Sequence, residues 1–114
     1  MVHIGNIKEI VMIFIETPIF TEDVLNLLTD DEYAEFQAYL ATNPLAGDVI
    51  QQTGGLRKVR WAAGGKGKRG GARVIYYHLT ADCQIRLLLI YKKGIQDSLS
   101  AEQKKILRQM NEGW

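Results

Sequence analysis

Leu56-Arg57-Lys58-Val59-Arg60-Trp61-Ala62 alternates charged and apolar side chains, and Arg73-Val74-Ile75-Tyr76-Tyr77-His78-Leu79 resumes a strand-like run further on. A period of two puts Lys58 and Arg60 on one face and Val59 and Trp61 on the other, as in a strand with one buried side. Between the runs, Gly64-Gly65-Lys66-Gly67-Lys68-Arg69-Gly70-Gly71 is rich in turn-forming glycine and turns the chain. A third run, Gln84 to Lys93, sets Leu87, Leu89, Tyr91 and Lys93 on one side. Three consecutive strands with short connections predict an antiparallel meander.

Working outward, Ile10 to Ile15 is a β-branched apolar run and reads as a buried strand. Thr17 before Pro18 marks a helix start, with Phe20, Val24, Leu27 and Leu28 on its apolar face. Thr29-Asp30-Asp31-Glu32 has capping-box spacing, and Tyr33, Phe36 and Leu40 continue that second helix until Asn43-Pro44 ends it. Residues 44–55 read as a loop. Ser100 and Gln103 form another capping box, opening a last helix with Ile106, Leu107 and Met110 inward. The order β-α-α-β-β-β-α predicts an α+β fold. It has an antiparallel sheet, the first two helices on one face and a C-terminal helix.

Length and composition agree with one domain over residues 1–114, at 46% hydrophobic and 24% charged residues. Residues 1–11 read as an N-terminal extension or an upstream start, and trimming to Met12 is expected to leave activity intact. The net charge of +1 conceals a polarised chain. Residues 1–48 carry nine acids and one base, whereas residues 49–114 carry four acids and thirteen bases. Seven of the fourteen Lys and Arg residues lie between Arg57 and Arg73, with no acid among them. Such a stretch suits a polyanion, most plainly RNA: its charge displaces counterions and its glycines allow close backbone approach.

Other chemistries find little support in the residues. The glycine loop lacks the Gly-Lys-Ser/Thr of a nucleotide-binding P-loop. Cys83 is the only cysteine, so no intrachain disulfide forms, which fits a cytoplasmic location. His3 and His78 stand apart from any metal-ligand spacing, and no cofactor or metal is expected. No apolar run approaches the ~20 residues of a membrane span. What remains is Lys, Arg and Tyr chemistry. Lys58, Arg60, Arg73, Tyr91 and Lys93 are the expected catalytic set, with Arg57, Lys66, Lys68, Arg69 and Lys92 as RNA contacts. Metal-free RNA cleavage fits such a set. The ribose 2′-OH attacks its own phosphate, cations stabilise the phosphorane, and Lys58 or Tyr91 takes the proton.

The chain from about Met12 to Asn111 resembles toxins of the RelE/HigB superfamily from bacterial type II toxin–antitoxin systems, closest to the HigB-like branch. The likeness rests on Thr53-Gly54-Gly55-Leu56-Arg57-Lys58-Val59-Arg60, on Gly65 through Tyr77, and on Leu89-Ile90-Tyr91-Lys92-Lys93. It implies a microbial-ribonuclease-like fold and a toxin that enters the ribosomal A site and cuts mRNA. It also implies a cognate HigA-like antitoxin with a helix-turn-helix domain, and DNA binding only through that partner. By the resemblance, Lys58 and Arg60 match basic positions of the first meander strand, Arg73 the arginine opening the next, and Lys93 a basic residue after the last. Some relatives place a tyrosine in the final helix. Here that region reads Arg108 to Trp114 without one, so the base stays open between Lys58, Tyr91 and neither of them. Two further readings use the same residues: a non-catalytic RNA- or ribosome-binding module, and a co-repressor partner of a DNA-binding antitoxin.

Overall fold

A computed structural model describes residues 2–4, 10–62, 71–94 and 98–113. Within them the expected α+β class is observed. The elements are β1 (Val2–Ile4), β2 (Ile10–Glu16), α1 (Pro18–Leu27), α2 (Asp30–Thr42), β3 (Asp48–Val49), β4 (Arg57–Trp61), β5 (Ala72–Leu79), β6 (Gln84–Lys92) and α3 (Ala101–Glu112). The sheet runs β1-β2-β6-β5-β4-β3. β3 to β6 pair antiparallel, giving the expected meander, and β2 joins it parallel to β6. Two short strands were not legible beforehand. β1 lies within the segment read as an extension and pairs antiparallel with β2. β3 lies within the expected loop 44–55 and pairs with β4.

The helices start where side-chain chemistry predicts. The Thr17 hydroxyl accepts from the Phe20 N–H at 3.1 Å, and Pro18 takes the first helical position, where no N–H is needed. Thr29 and Glu32 form a reciprocal capping box on α2, as do Ser100 and Gln103 on α3. Each such cap is worth about 1 kcal/mol. The acids Asp30, Asp31 and Glu32 lie in the first turn of α2, where the helix dipole favours negative charge.

The sheet separates two apolar layers. On one face α1 and α2 bring Phe20, Val24, Leu28, Phe36 and Leu40 against Val59, Val74, Tyr76, Ile85, Leu87 and Ile90. On the other, α3 brings Leu107 against Leu56, Ile75 and Leu88. A fully buried Phe or Leu contributes about 1.5–3 kcal/mol, so the larger first layer dominates the stability. In α3 the expected inward face is shifted. Leu107 and Asn111 are buried, Met110 is partly buried, and Ile106 remains 47% exposed.

One irregularity governs everything C-terminal to it. Tyr76 pairs with Leu87 but Ile75 pairs with Leu89, so Leu88 is a bulge on β6. Leu87 therefore faces α1 and α2, while Leu88 and Leu89 both lie in the α3 layer. The expected common side for Leu87, Leu89 and Tyr91 fails for Leu87, because the surplus residue reverses the alternation.

Candidate functional site

Register brings the basic residues together. Arg60 lies directly across from Arg73, and Arg73 directly across from Tyr91. Residues so paired share a face, with Cβ atoms about 5 Å apart. One step inward, Lys58 pairs with Ile75, which belongs to the α3 layer. Lys58, Arg60, Arg73 and Tyr91 thus occupy one side of three neighbouring strands, opposite the acidic helices α1 and α2. The polarised sequence becomes a polarised fold, with the six acids of α1 and α2 on one side of the sheet and this row on the other.

Arg73 is the unusual member. Its residue surface is only 8% exposed, and its Nη1 has no hydrogen-bond partner among the described residues. Neither Arg60 nor Arg73 meets a carboxylate among those residues. Leaving a buried donor unpaired costs about 1–3 kcal/mol, and like charges directly opposed across strands add to the cost. The arrangement opposes stability and favours an incoming anion. Arg60, at the edge of the row, is exposed, whereas Tyr91 and Lys58 are half-buried.

The other expected residues divide. Lys93 follows the end of β6, with its backbone N–H donating to the Gly71 carbonyl at 3.1 Å, and it is exposed beside the row. Lys92 pairs with Ala72, which belongs to the α1/α2 layer, so Lys92 faces away from Arg73. Arg57 also does not join the row. It alternates away from Lys58, and its Nη1 donates to the Gly47 carbonyl at 2.8 Å. There it braces the loop after α2, beside the buried Tyr76, whose hydroxyl accepts from the Gly47 N–H and donates to the Pro44 carbonyl. Lys66, Lys68 and Arg69 lie outside the described residues.

One position near the row escaped sequence reading. Asp48, in the short strand β3, pairs with Lys58. With Ser98 and Leu99, just before α3, and Lys104 in its first turn, Asp48 and Lys58 line a cavity of about 290 Å³. Asp48 thus sets one carboxylate of the acidic first half beside the basic strands. Only the pairing of a two-residue strand locates it, and such a strand has no periodicity to read. Trp61, at the end of β4, packs on Phe36 and Tyr39 with ring centroids 5.4 Å apart in each case, on the opposite face.

Two groups beyond the row have shifted acidities. Burial first, then the Arg57 charge, holds His78 below its ordinary value, which suits a neutral strand residue. Burial, then the hydrogen bond to Glu16, pushes the Tyr33 phenol far above its ordinary range. The described residues hold no group of three His, Cys, Asp or Glu side chains arranged around a common point. No helix among them is long and apolar enough to cross a membrane. No family model matches the chain.

Proposed function

We propose that this protein is a ribosome-dependent mRNA endonuclease, the toxin of a type II toxin–antitoxin pair of the RelE/HigB kind, acting in the cytoplasm. The observation that carries the reading is Arg73, buried, with an unpaired Nη1, standing between Arg60 and Tyr91. A scissile phosphate offers what that guanidinium lacks: a charge-assisted acceptor in a partly dehydrated setting. The resemblance of the three basic segments to those toxins supplies the substrate and the partner.

The chemistry follows from the residue types. The 2′-oxygen attacks phosphorus, forming the O2′–P bond while the P–O5′ bond breaks. The products are a 2′,3′-cyclic phosphate and a 5′-hydroxyl. Arg73 and Arg60 remain charged throughout and stabilise the charge that grows on the non-bridging oxygens. Tyr91 or Lys58 accepts the 2′-OH proton, and Lys93 is the candidate donor to O5′. Lys66, Lys68 and Arg69 contact the RNA backbone in this reading. The cognate antitoxin, a helix-turn-helix protein, neutralises the toxin by covering the row.

The test is inducible expression with mapping of message 5′ ends, wild type beside Arg73→Ala. Growth arrest and new 5′ ends within translated messages are expected for wild type alone. RNA or ribosome binding with no new ends identifies a non-catalytic binding module. Repression of an operon with no toxicity identifies a co-repressor. Either result overturns the proposal.

A further inference from the structure

We propose that Thr17 is a positioning residue, which pins the bulge at Leu88 and so fixes the register that sets Tyr91, rather than Ile90, across from Arg73. The role given to Tyr91 rests on the functional reading above, but the register does not.

The need for such a device lies in the sequence. Leu87-Leu88-Leu89-Ile90 is an unbroken apolar run. Both faces of the sheet are apolar here, so the run satisfies either alternation, and burial alone specifies the register weakly. Without the bulge, Leu88 would meet Ile75, Leu89 would meet Val74, Ile90 would meet Arg73 and Tyr91 would meet Ala72. Tyr91 would then stand on the α1/α2 face, and an isoleucine would occupy its place beside Arg73. The observed pairing is one residue out of step with that alternative: Leu89 meets Ile75 and Tyr91 meets Arg73.

Thr17 grips this point with two groups. Its backbone N–H donates to the Leu87 carbonyl at 3.0 Å, and its hydroxyl donates to the Leu88 carbonyl at 2.8 Å. The same hydroxyl accepts from the Phe20 N–H, so α1 stands directly on the anchor. Thr17 is buried, at 6% exposure, which leaves the bulge carbonyl little water as an alternative. β2 lies parallel to β6 with Glu16 opposite Leu87, so Thr17 is the next residue along the ladder and meets the surplus residue as it leaves the β5 pairing. The end of one strand thereby sets the alternation of its neighbour, and through it the composition of a row on the far face.

The experiment compares Thr17→Val, which keeps the shape and loses the hydroxyl, with Thr17→Ser, which keeps the hydroxyl. Nuclear magnetic resonance of labelled protein reads cross-strand contacts of Arg73, and cleavage of ribosome-bound message is measured alongside. In wild type and Thr17→Ser, Arg73 contacts Tyr91. In Thr17→Val a second set of signals is expected, with Arg73 opposite Ile90. Cleavage kcat then falls about tenfold or more, as misplacement of a reacting group implies, while KM is little changed. Loss of thermal stability with Arg73–Tyr91 contacts fully kept would overturn the proposal and leave Thr17 as a helix cap. Deleting Leu88 removes the surplus residue, so Tyr91 meets Arg73 with no bulge to hold. In that background Thr17→Val must keep the Arg73–Tyr91 contact, and its loss also overturns the proposal. Wild-type protein that cuts nothing defeats the functional reading and leaves the register result standing.

Discussion

Replacing Arg73 by methionine keeps an unbranched stem of similar length and removes the guanidinium. Three quantities decide the effect on stability. The unpaired Nη1 disappears, returning about 1–3 kcal/mol. The charge facing Arg60 disappears, adding roughly 0.2–1 kcal/mol. The stem of a residue only 8% exposed stays packed, so little is lost in exchange. The net expectation is a gain of about 1–4 kcal/mol. For 114 residues the unfolding entropy is about 0.24 kcal/mol per kelvin, so the melting temperature should rise by about 4–17 °C. Circular dichroism melts of wild type and Arg73→Met, with the same proteins tested for message cleavage, read both sides of the exchange. A more stable, inactive protein is the expected result, because strain kept at a site is relieved when the site is removed. A melting temperature several degrees below wild type would show Arg73 to be a structural residue and refute the reasoning.

The faces of the sheet make a second prediction. Arg60→Ala should lower message cleavage about a hundredfold, while Lys92→Ala, on the opposite face of the same end of the sheet, should change it by less than about threefold. Equal losses in a cleavage assay would mean that register does not define the site. Gly71→Ala should destabilise the start of β5, since a Cβ there would stand 2.3 Å from the Trp61 carbonyl oxygen. Urea titration should show a clear loss, and an unchanged midpoint would contradict that close approach. Alkaline pH should weaken the fold through Tyr33 and Tyr76, whose phenols are both pushed up, mainly by burial. The folded state keeps protons that the unfolded chain releases near pH 10, so this contribution is complete below about pH 10 and is lost as pH rises above it. Tyr33→Phe should lose stability less steeply between pH 9 and 11 in urea titrations than wild type does, and parallel slopes would contradict the assignment.

Much of this was legible because local chemistry and tertiary structure agree. Thr17-Pro18, Thr29 with Glu32 and Ser100 with Gln103 each announce a helix start by hydrogen bonds within one turn, and each is found. The alternation of Leu56 to Ala62 correctly separates Lys58 and Arg60 from Val59, because one face of β4 is core and the other is not. The same alternation, one residue to the N-terminal side, already places Arg57 away from them. The illegible parts have a physical cause too. In Leu87 to Ile90 every residue is apolar, so no pattern marks a bulge; the hydroxyl that bonds the bulge carbonyl belongs to Thr17, 71 residues earlier. β3 is two residues long and β1 three, shorter than any period. Asp48 consequently reached the neighbourhood of Lys58 through pairing alone.

The account turns on whether the Arg60–Arg73–Tyr91 row works on a phosphodiester. The most direct measurement is cleavage of a defined message on purified ribosomes by wild type and by folded Arg73→Ala, with the chemistry of both product ends determined. Wild type should leave a 2′,3′-cyclic phosphate and a 5′-hydroxyl, and Arg73→Ala should cut about 100- to 1,000-fold more slowly. Equal cutting by the two proteins, or intact message with both, would contradict it.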